Sequence, residues 1–234
     1  MKIAVLGTGG GGRAHAARLA ELGHQVAVGT RDPETTLART EPDVMGNPPF
    51  KQWLADHPDI TLATFGDAAA SAELVINGID GHNAVQALGA IADQLAGKVL
   101  IDYAVPYLYN PTTEHPWPTP WGVMPRLDPV DTDSLGEQIQ RALPDTSVVK
   151  AFVTQEQDTV VDPARVAGGD HTTLIAGNDA DAKQSVTHLL KSYGWHDILD
   201  LGTLHAARGM EMYAHLHSAI GFALGGPFGV KIQR

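Results

Sequence analysis

Short apolar runs alternate with alanine-rich stretches of helical spacing through the first half of the chain. The predicted strands of this half are Lys2–Gly7, Gln25–Gly29, Thr61–Thr64, Leu74–Ile79 and Lys98–Asp102. A helix is predicted over Gly11–Leu22, and another begins at Asp32-Pro33, with aspartate at the N-cap and proline at the first helical position. Strands that alternate with helices in this way predict a doubly wound α/β fold with a parallel sheet.

The second half continues the alternation on a smaller scale. Strands are predicted over Val148–Val153, Thr172–Ala176 and Ile198–Leu201, the last at a sheet edge, and helices over Asp133–Ala142 and Asp179–Tyr193. From Leu204 the chain is predicted as one long helix that ends at Gly225-Gly226-Pro227. We therefore predict a main domain over residues 1–145 and a smaller C-terminal α/β domain over 146–234, which binds substrate and forms a homodimer.

Two insertions interrupt the pattern. Residues 41–60 are rich in proline and contain Trp53, and residues 103–130 are predicted as a long irregular loop. The aromatic residues of that loop are Tyr103, Tyr107, Tyr109, Trp117 and Trp121. They either cap a planar ligand or form a satellite cluster or dimer contact.

Composition excludes several classes of protein. The sequence has no cysteine, which removes disulfides, thiolate catalysis and thiolate metal sites. The formal net charge is −11, which disfavours nucleic-acid binding and requires that a small anionic ligand be held by local donors. No apolar run reaches the roughly 18 residues of a membrane span, and the run at Met1–Gly7 is too short for a signal peptide. A cytoplasmic protein is expected.

The sequence Gly7-Thr8-Gly9-Gly10-Gly11-Gly12 fits the pattern G-x-G-x-x-G between the first strand and the first helix. Gly7 would permit the tight turn, Gly9 the approach of a pyrophosphate, and Gly12 the close packing of helix on strand. Phosphates would then face the free amides at the helix N-terminus. In this context the motif predicts a dinucleotide-binding Rossmann domain in which Thr8–Gly12 hold the pyrophosphate; the alternative is a merely flexible turn.

The tip of the second strand, Gly29-Thr30-Arg31, indicates which dinucleotide binds. A hydroxyl followed by a guanidinium suits a 2′-phosphate and therefore NADPH. Asp32 would favour NADH, but its place before Pro33 makes helix capping the preferred interpretation. Arg31 could instead be a solvated loop charge.

With these motifs in place, the chain resembles the NADPH-dependent coenzyme F420 reductase family. The resemblance extends to Val148-Val149-Lys150-Ala151-Phe152, to the helix entry Gly177–Ala182, to Leu201-Gly202-Thr203-Leu204 followed by Ala207-Arg208, and to Gly225–Lys231. It covers almost the whole chain except the two insertions. It implies hydride transfer between the nicotinamide C4 and the deazaflavin C5 of coenzyme F420, stacked across a cleft between the Rossmann sheet and the C-terminal domain. The cofactors carry this chemistry, so no catalytic side chain is predicted.

The resemblance also extends the predicted site. Asn77, Gly78 and Ile79 would lie beside the ribose, and Ala104 beside the cofactor. The acceptor, a small molecule that takes the hydride, would be bordered by a set of side chains from both halves of the chain. These are Val105, Val153, Thr154, Arg208 and Met212.

Two positions depart from the family pattern. The family's D-x-x-N-P is here Asp102-Tyr103-Ala104-Val105-Pro106, and its K-A-F-N-T is here Lys150-Ala151-Phe152-Val153-Thr154. Valine replaces asparagine at both, which removes a donor and an acceptor and adds apolar surface. Either both positions drifted, or the cleft is re-shaped for a less polar acceptor.

Other constellations are weaker. Glu211 and His215 share a helix face, but His217 points elsewhere and no third ligand is evident, so no metal site is predicted. Arg208 either reaches an anionic substrate tail or pairs with Asp200 or Glu211. The function hypotheses are an NADPH:F420 oxidoreductase, an NADPH-dependent reductase of an imine, ketone or conjugated alkene, and a non-catalytic NADPH-binding redox sensor.

Overall fold

One twisted sheet organises the molecule. The computed structural model describes residues 1–43, 46–108 and 125–234. The sheet strands in these residues are β1 Lys2–Leu6, β2 Gln25–Thr30, β3 Ile60–Thr64, β4 Leu74–Asn77, β5 Val99–Asp102, β8 Ser147–Lys150, β9 Thr173–Gly177 and β10 Ile198–Asp200. Their order is β10-β9-β8-β5-β4-β1-β2-β3. Neighbours pair in parallel except β8 and β9, which are antiparallel. The predicted doubly wound parallel sheet is confirmed.

Helices cover both faces of the sheet. They are α1 Gly10–Glu21, α2 Pro33–Ala38, α3 Phe50–Ala55, α4 Phe65–Ser71, α5 Gly81–Gly89, α6 Ala92–Leu95, α7 Leu135–Ala142, α8 Gln157–Val161, α9 Ala180–Tyr193 and α10 Ala207–Leu224, with 3₁₀ turns at Pro163–Arg165, Ala167–Gly169 and Leu204–Ala206. None of the described helices is both long and apolar enough to cross a membrane.

Alternate residues of each buried strand enter two separate cores. Val5 of β1 and Ile101 of β5 face one core with residues of α1, α8 and α9. Their immediate neighbours Leu6 and Leu100 face the other core with residues of α4, α5, α7 and α10. Because both faces are covered, these strands are apolar throughout rather than alternating, which is why they could be found as continuous apolar runs.

Most predicted elements are confirmed with small shifts at their ends, and three differ. The strand predicted over Val148–Val153 ends at Lys150, because Phe152 turns the chain with a φ of 67°. The insertion 41–60 contains α3. The loop 103–130 is not wholly irregular: β6 Tyr107–Leu108 pairs with β7 Arg126–Leu127 in a separate antiparallel ribbon. Tyr109, Trp117 and Trp121 lie outside the described residues.

The sheet continues across the predicted domain boundary at residue 145. β8 pairs with β5 of the first half, and β9 and β10 extend the same sheet. Residues 146–234 therefore add strands to the first sheet within the described part of the chain. Their division from residues 1–145 as a separate functional unit stays a prediction.

Candidate functional site

The glycine turn joins β1 to α1 at the carboxyl edge of the sheet. Gly7 has a φ of +126°, and a Cβ there would collide with the carbonyl of Gly78. A Cβ on Gly12 would collide with the carbonyl of Gly7. At Gly9, by contrast, a Cβ would meet nothing within 4 Å. The turn, the close helix packing and the open approach therefore fall at the three glycines predicted for them.

The N-terminus of α1 carries no cap. Gly9 is the N-cap residue, no side chain of the described residues caps the first-turn amides, and no acidic residue lies in that turn. The first amides of a helix have no intrahelical acceptor and carry the positive end of its dipole. Together with the open space over Gly9, this end of α1 fits the diphosphate of a dinucleotide.

The 41–60 insertion is fixed to the glycine turn through Arg13. Its Nε donates to the carbonyl of Thr8 (2.9 Å) and its Nη1 to the carbonyl of Pro48 (2.7 Å). The guanidinium also lies 5.3 Å from the ring centroid of Phe50 and 6.0 Å from that of Trp53. Arg13 thereby stiffens the turn, a role that the sequence analysis missed.

At the tip of β2, Asp32 is occupied as a helix cap. Its carboxylate accepts from the Thr35 amide (3.0 Å) and hydroxyl (2.8 Å), and these bonds hold the pKa of Asp32 below its usual value. The capping interpretation is confirmed. The hydroxyl of Thr30 is buried and hydrogen-bonds that of Thr36 at 2.8 Å. Arg31 is exposed and is the cationic side chain at this tip.

The β4–α5 loop lies beside the glycine turn, since the Gly78 amide donates to the Leu6 carbonyl at 2.8 Å. We call the gap between residues 7–12 and 77–79 the switch-point crevice, because the crossovers leave β1 and β4 in opposite directions there. The Asn77 side chain is fully buried, donating to Asp102 (2.8 Å) and accepting from the Ile79 amide (3.1 Å). Residues 77–79 can therefore offer only main-chain groups to a ribose.

A buried charge cluster lies where β5 and β8 end. The Lys150 ammonium contacts Asp102 Oδ2 (2.8 Å) and Glu211 Oε1 (2.7 Å) and donates to the Ala104 carbonyl (2.6 Å). The Ala104 amide donates to Asp102 Oδ1 at 3.1 Å, so both main-chain polar groups of Ala104 are engaged. The side chains of Asp102 and Lys150 are both fully buried. Burial opposes the charge on Lys150, but the two carboxylates outweigh it and raise the pKa of Lys150.

Glu211 connects this cluster to α7. Its two carboxylate oxygens accept from the amides of Leu135 (2.9 Å) and Gly136 (3.0 Å), at the N-terminus of α7. Burial raises the pKa of Glu211, and Lys150 opposes that shift. The sequence signal for this cluster was a lysine inside the apolar run Val148–Phe152. The sequence did not reveal the role of Lys150, because its partner Asp102 lies 48 residues before it and its partner Glu211 lies far after it.

The two departures from the family pattern meet in one apolar cluster. Val153, Ala176 and Met210 form it, and Val105 packs against it. Met212, predicted to border the acceptor, is 42% exposed and instead lines a groove of about 400 Å³ with residues of the β6–β7 ribbon. Met210 takes its place beside Val153, because residues two apart on a helix face different ways.

Thr154 and Arg208 have different environments. Thr154 is buried beside Val153, and its hydroxyl has no hydrogen-bond partner among the described residues. Arg208 forms a bidentate pair with Glu137, with two bonds of 2.8 Å. The ion-pair partner is therefore neither Asp200 nor Glu211, since Asp200 pairs with Lys183 and Glu211 with Lys150.

Comparison with known proteins identifies the family. Residues 2–106 match the model of the NADP oxidoreductase, coenzyme F420-dependent, family. An F420-dependent NADP reductase from Methanothermobacter marburgensis is 30% identical over 90% of this chain and 88% of its own. The metalloreductase STEAP3 of Rattus norvegicus is also 30% identical over 90% of this chain, which spans only 36% of that protein.

A solved protein from Arthrobacter sp. FB24, provisionally named an F420-dependent NADP reductase, is 50% identical over 100% of both chains with a TM-score of 0.91. Its identity and coverage are high enough to carry the family as well as the fold. This chain is an NAD(P)H-dependent oxidoreductase, and it belongs to the family of F420-dependent NADP oxidoreductases.

Proposed function

We propose that this protein is a cytoplasmic enzyme that binds NADPH and exchanges a hydride with a deazaflavin of the coenzyme F420 type. The observation that supports it most directly is the uncapped end of α1, open over Gly9, next to a β2 tip where the Asp32 carboxylate already caps a helix. A site that offers amides for a diphosphate and a guanidinium for a 2′-phosphate favours NADPH over NADH.

The residues that would hold the cofactor follow from their placement. The amides of residues 8–12 would bind the diphosphate, and Arg31, with the nearby Thr30 hydroxyl, the 2′-phosphate. The main chain at Gly78–Ile79 and Ala104 would border the nicotinamide side. A chain of net charge −11 repels a polyanion at long range, so these local donors must supply the binding free energy.

The acceptor would lie against Val105, Val153 and Met210, with the Thr154 hydroxyl, which has no partner in the described part of the chain, as a hydrogen-bonding group beside them. The two cofactors, when bound, would supply the chemistry, which is hydride exchange between nicotinamide C4 and deazaflavin C5 with the accompanying proton taken from solvent. The protein would then contribute orientation and the exclusion of water by apolar side chains, and this chemistry requires no side chain as a general acid.

A second candidate is an NADPH-dependent reductase of a smaller, less polar acceptor such as an imine, a ketone or a conjugated alkene. The observation that favours it is that both valines at family asparagine positions contribute to one apolar cluster. A less polar acceptor would need fewer side-chain amides beside it, and both family asparagines at this place are replaced by valine. NADPH binding without deazaflavin turnover would favour this candidate.

We also propose a homodimer in which a second copy covers one face of α10. Residues 212–224 contain no Asp, Glu, Lys or Arg, and Met212, Leu216 and Leu224 are 42%, 56% and 65% exposed. A second copy is the preferred partner, because an uncharged face avoids the repulsion between two chains of net charge −11. A monomer in sedimentation equilibrium would refute this.

The cofactor proposal is tested with Arg31→Ala. Loss of the guanidinium should weaken NADPH binding by about tenfold or more and leave NADH binding nearly unchanged, since only NADPH carries the 2′-phosphate. Arg141→Ala, with the same change of charge on the last turn of α7, is the matched control and should alter neither affinity. Calorimetric titration measures both. Equal losses for the two nucleotides would contradict the assignment of Arg31.

The acceptor proposal is tested by the absorbance of an oxidised deazaflavin mixed with the enzyme and NADPH. Bleaching that requires the enzyme supports F420-type chemistry. NADPH binding with no bleaching contradicts the deazaflavin and leaves the second candidate.

A further inference from the structure

Tyr103 occupies a position at the switch-point crevice that no motif assigned to it. It follows β5 directly, and its phenol oxygen lies between the two loops of the crevice. A Cβ on Gly11 would come within 2.9 Å of that oxygen, and a Cβ on Gly78 would overlap it. Both positions are therefore restricted to glycine by the Tyr103 side chain as well as by any ligand.

The ring of Tyr103 rests on a rigid support. It stacks on His15 with a centroid distance of 5.3 Å, and His15 stacks in turn on Phe152 at 4.7 Å. The Gln157 amide nitrogen donates to the Phe152 carbonyl (3.0 Å), which leaves its oxygen to accept from His15 Nε2 (2.8 Å). His15 Nδ1 therefore accepts from the Tyr193 hydroxyl (3.2 Å).

Each partner in this support stays uncharged. Burial lowers the pKa of His15 to about 4, with the Gln157 bond opposing the shift, so the imidazole is neutral at pH 7. Burial and the neighbouring Asp102 carboxylate both raise the pKa of Tyr103. The phenol is consequently a protonated donor held at a fixed place.

The strand order decides which half of a dinucleotide would meet this donor. Arg31 follows β2, on one side of β1, whereas Tyr103 follows β5 and overlies the end of β4, on the other side. With the diphosphate on α1, the 2′-phosphate lies toward β2 and the nicotinamide half toward β4 and β5. The phenol lies on the nicotinamide side.

We propose that the Tyr103 hydroxyl donates a hydrogen bond to the nicotinamide half of NADPH, at its ribose or the adjoining phosphate, and that Gly11 and Gly78 are glycines partly to admit this ring. The inference rests on the proposed NADPH site and adds a binding residue to it. It also assigns His15 a positioning role, through the ring stack.

The test compares two ligands on one variant. Tyr103→Phe keeps the ring and its stacking and removes only the hydroxyl. NADPH should bind this variant about tenfold more weakly, whereas adenosine 2′,5′-bisphosphate, which lacks the nicotinamide half, should bind as it does to the wild type. Tyr193→Phe removes a phenol from the far side of His15 and should change neither affinity. Gly78→Ala, which displaces the phenol, should reproduce the selective loss.

Calorimetry gives all of these affinities without turnover. Unchanged NADPH affinity in Tyr103→Phe, with a wild type that binds NADPH, overturns this inference alone. Equal losses for both ligands also overturn it, since they would mean that Tyr103 acts through the glycine turn. A wild type that binds neither ligand overturns the proposed NADPH site and this inference with it.

Discussion

Two helices that begin at the carboxyl edge of the sheet, α1 and α7, are completed in opposite ways. The N-terminus of α1 has a glycine N-cap, no side-chain cap and no acidic residue in its first turn. At α7, the Ser134 hydroxyl accepts from the Glu137 amide at 3.1 Å, and Glu211 accepts from the two amides before it. One helix end leaves its amides available, and the other has them satisfied from within the protein.

This difference distinguishes a helix end that is free to bind a ligand from one that has a structural role. A glycine in place of a side-chain cap costs roughly a few tenths of a kcal/mol, and a folded protein tolerates that where the free amides have another use. At α7 the amides are satisfied by a carboxylate whose charge is balanced by Lys150, so that end of the molecule is a structural joint between β5, β8, α7 and α10. The proposed diphosphate site is at α1, and Lys150 of the joint also holds the main chain at Ala104.

The largest expected effect is a loss of stability when the joint at the start of α7 is broken. Lys150→Met would leave Asp102 and Glu211 buried together without a cation, and we expect the free energy of unfolding to fall by about 3–5 kcal/mol. Urea unfolding measures it. Lys183→Met, which removes a partly exposed pair with Asp200, is the control and should cost no more than about 1 kcal/mol. A similar small cost for Lys150→Met would contradict the joint.

The next effect is a pH dependence of stability that comes from His15, the α1 residue on which the Tyr103 ring stacks. The pKa of His15 is about 4 in the folded protein and higher in the unfolded chain, so the unfolded chain binds the proton more readily. The stability from neutral His15 is complete above about pH 6.5 and is lost as pH falls toward 4, by about 3 kcal/mol in all.

Urea unfolding between pH 7.5 and 4 measures this loss in the wild type and in His15→Phe, which keeps a ring but cannot titrate. The stability difference between the two proteins should shrink as the pH falls through this window. A constant difference would show that His15 is not held neutral.

A smaller effect is expected when the N-terminus of α1 is given a side-chain cap, as α7 has. Gly9→Asp adds a self-cap and a negative charge, and Gly9 has the extended backbone (φ −72°, ψ 176°) and free space that aspartate needs there. We expect NADPH binding to weaken by about 100-fold while the thermal midpoint is kept or raised slightly. Gly9→Ala separates the steric part of this loss from the charge. Full NADPH affinity in Gly9→Asp would mean that the diphosphate lies elsewhere.

Features set by residues close together in the chain could be predicted from the sequence. The strand–helix alternation, the tight turn at Gly7, the close packing at Gly12 and the Asp32 cap each follow from neighbouring residues, and the structure confirms them. The binding of a pyrophosphate over Gly9 stays a prediction. Residues that meet only after folding were not predictable in this way. Arg208 was given the wrong ion-pair partners because Glu137 lies 71 residues away, and Met210 could be told from Met212 only once the helix face was known.

We propose that the amides at the start of α1, and not those at the start of α7, hold the diphosphate of NADPH. A ¹⁵N–¹H correlation spectrum recorded during titration with NADPH tests it directly. We predict that the amide signals of Gly9, Gly10, Gly11 and Gly12 shift strongly while those of Leu135 and Gly136 stay in place. Glycine-turn signals that do not move at saturating NADPH would show that the diphosphate is not held there.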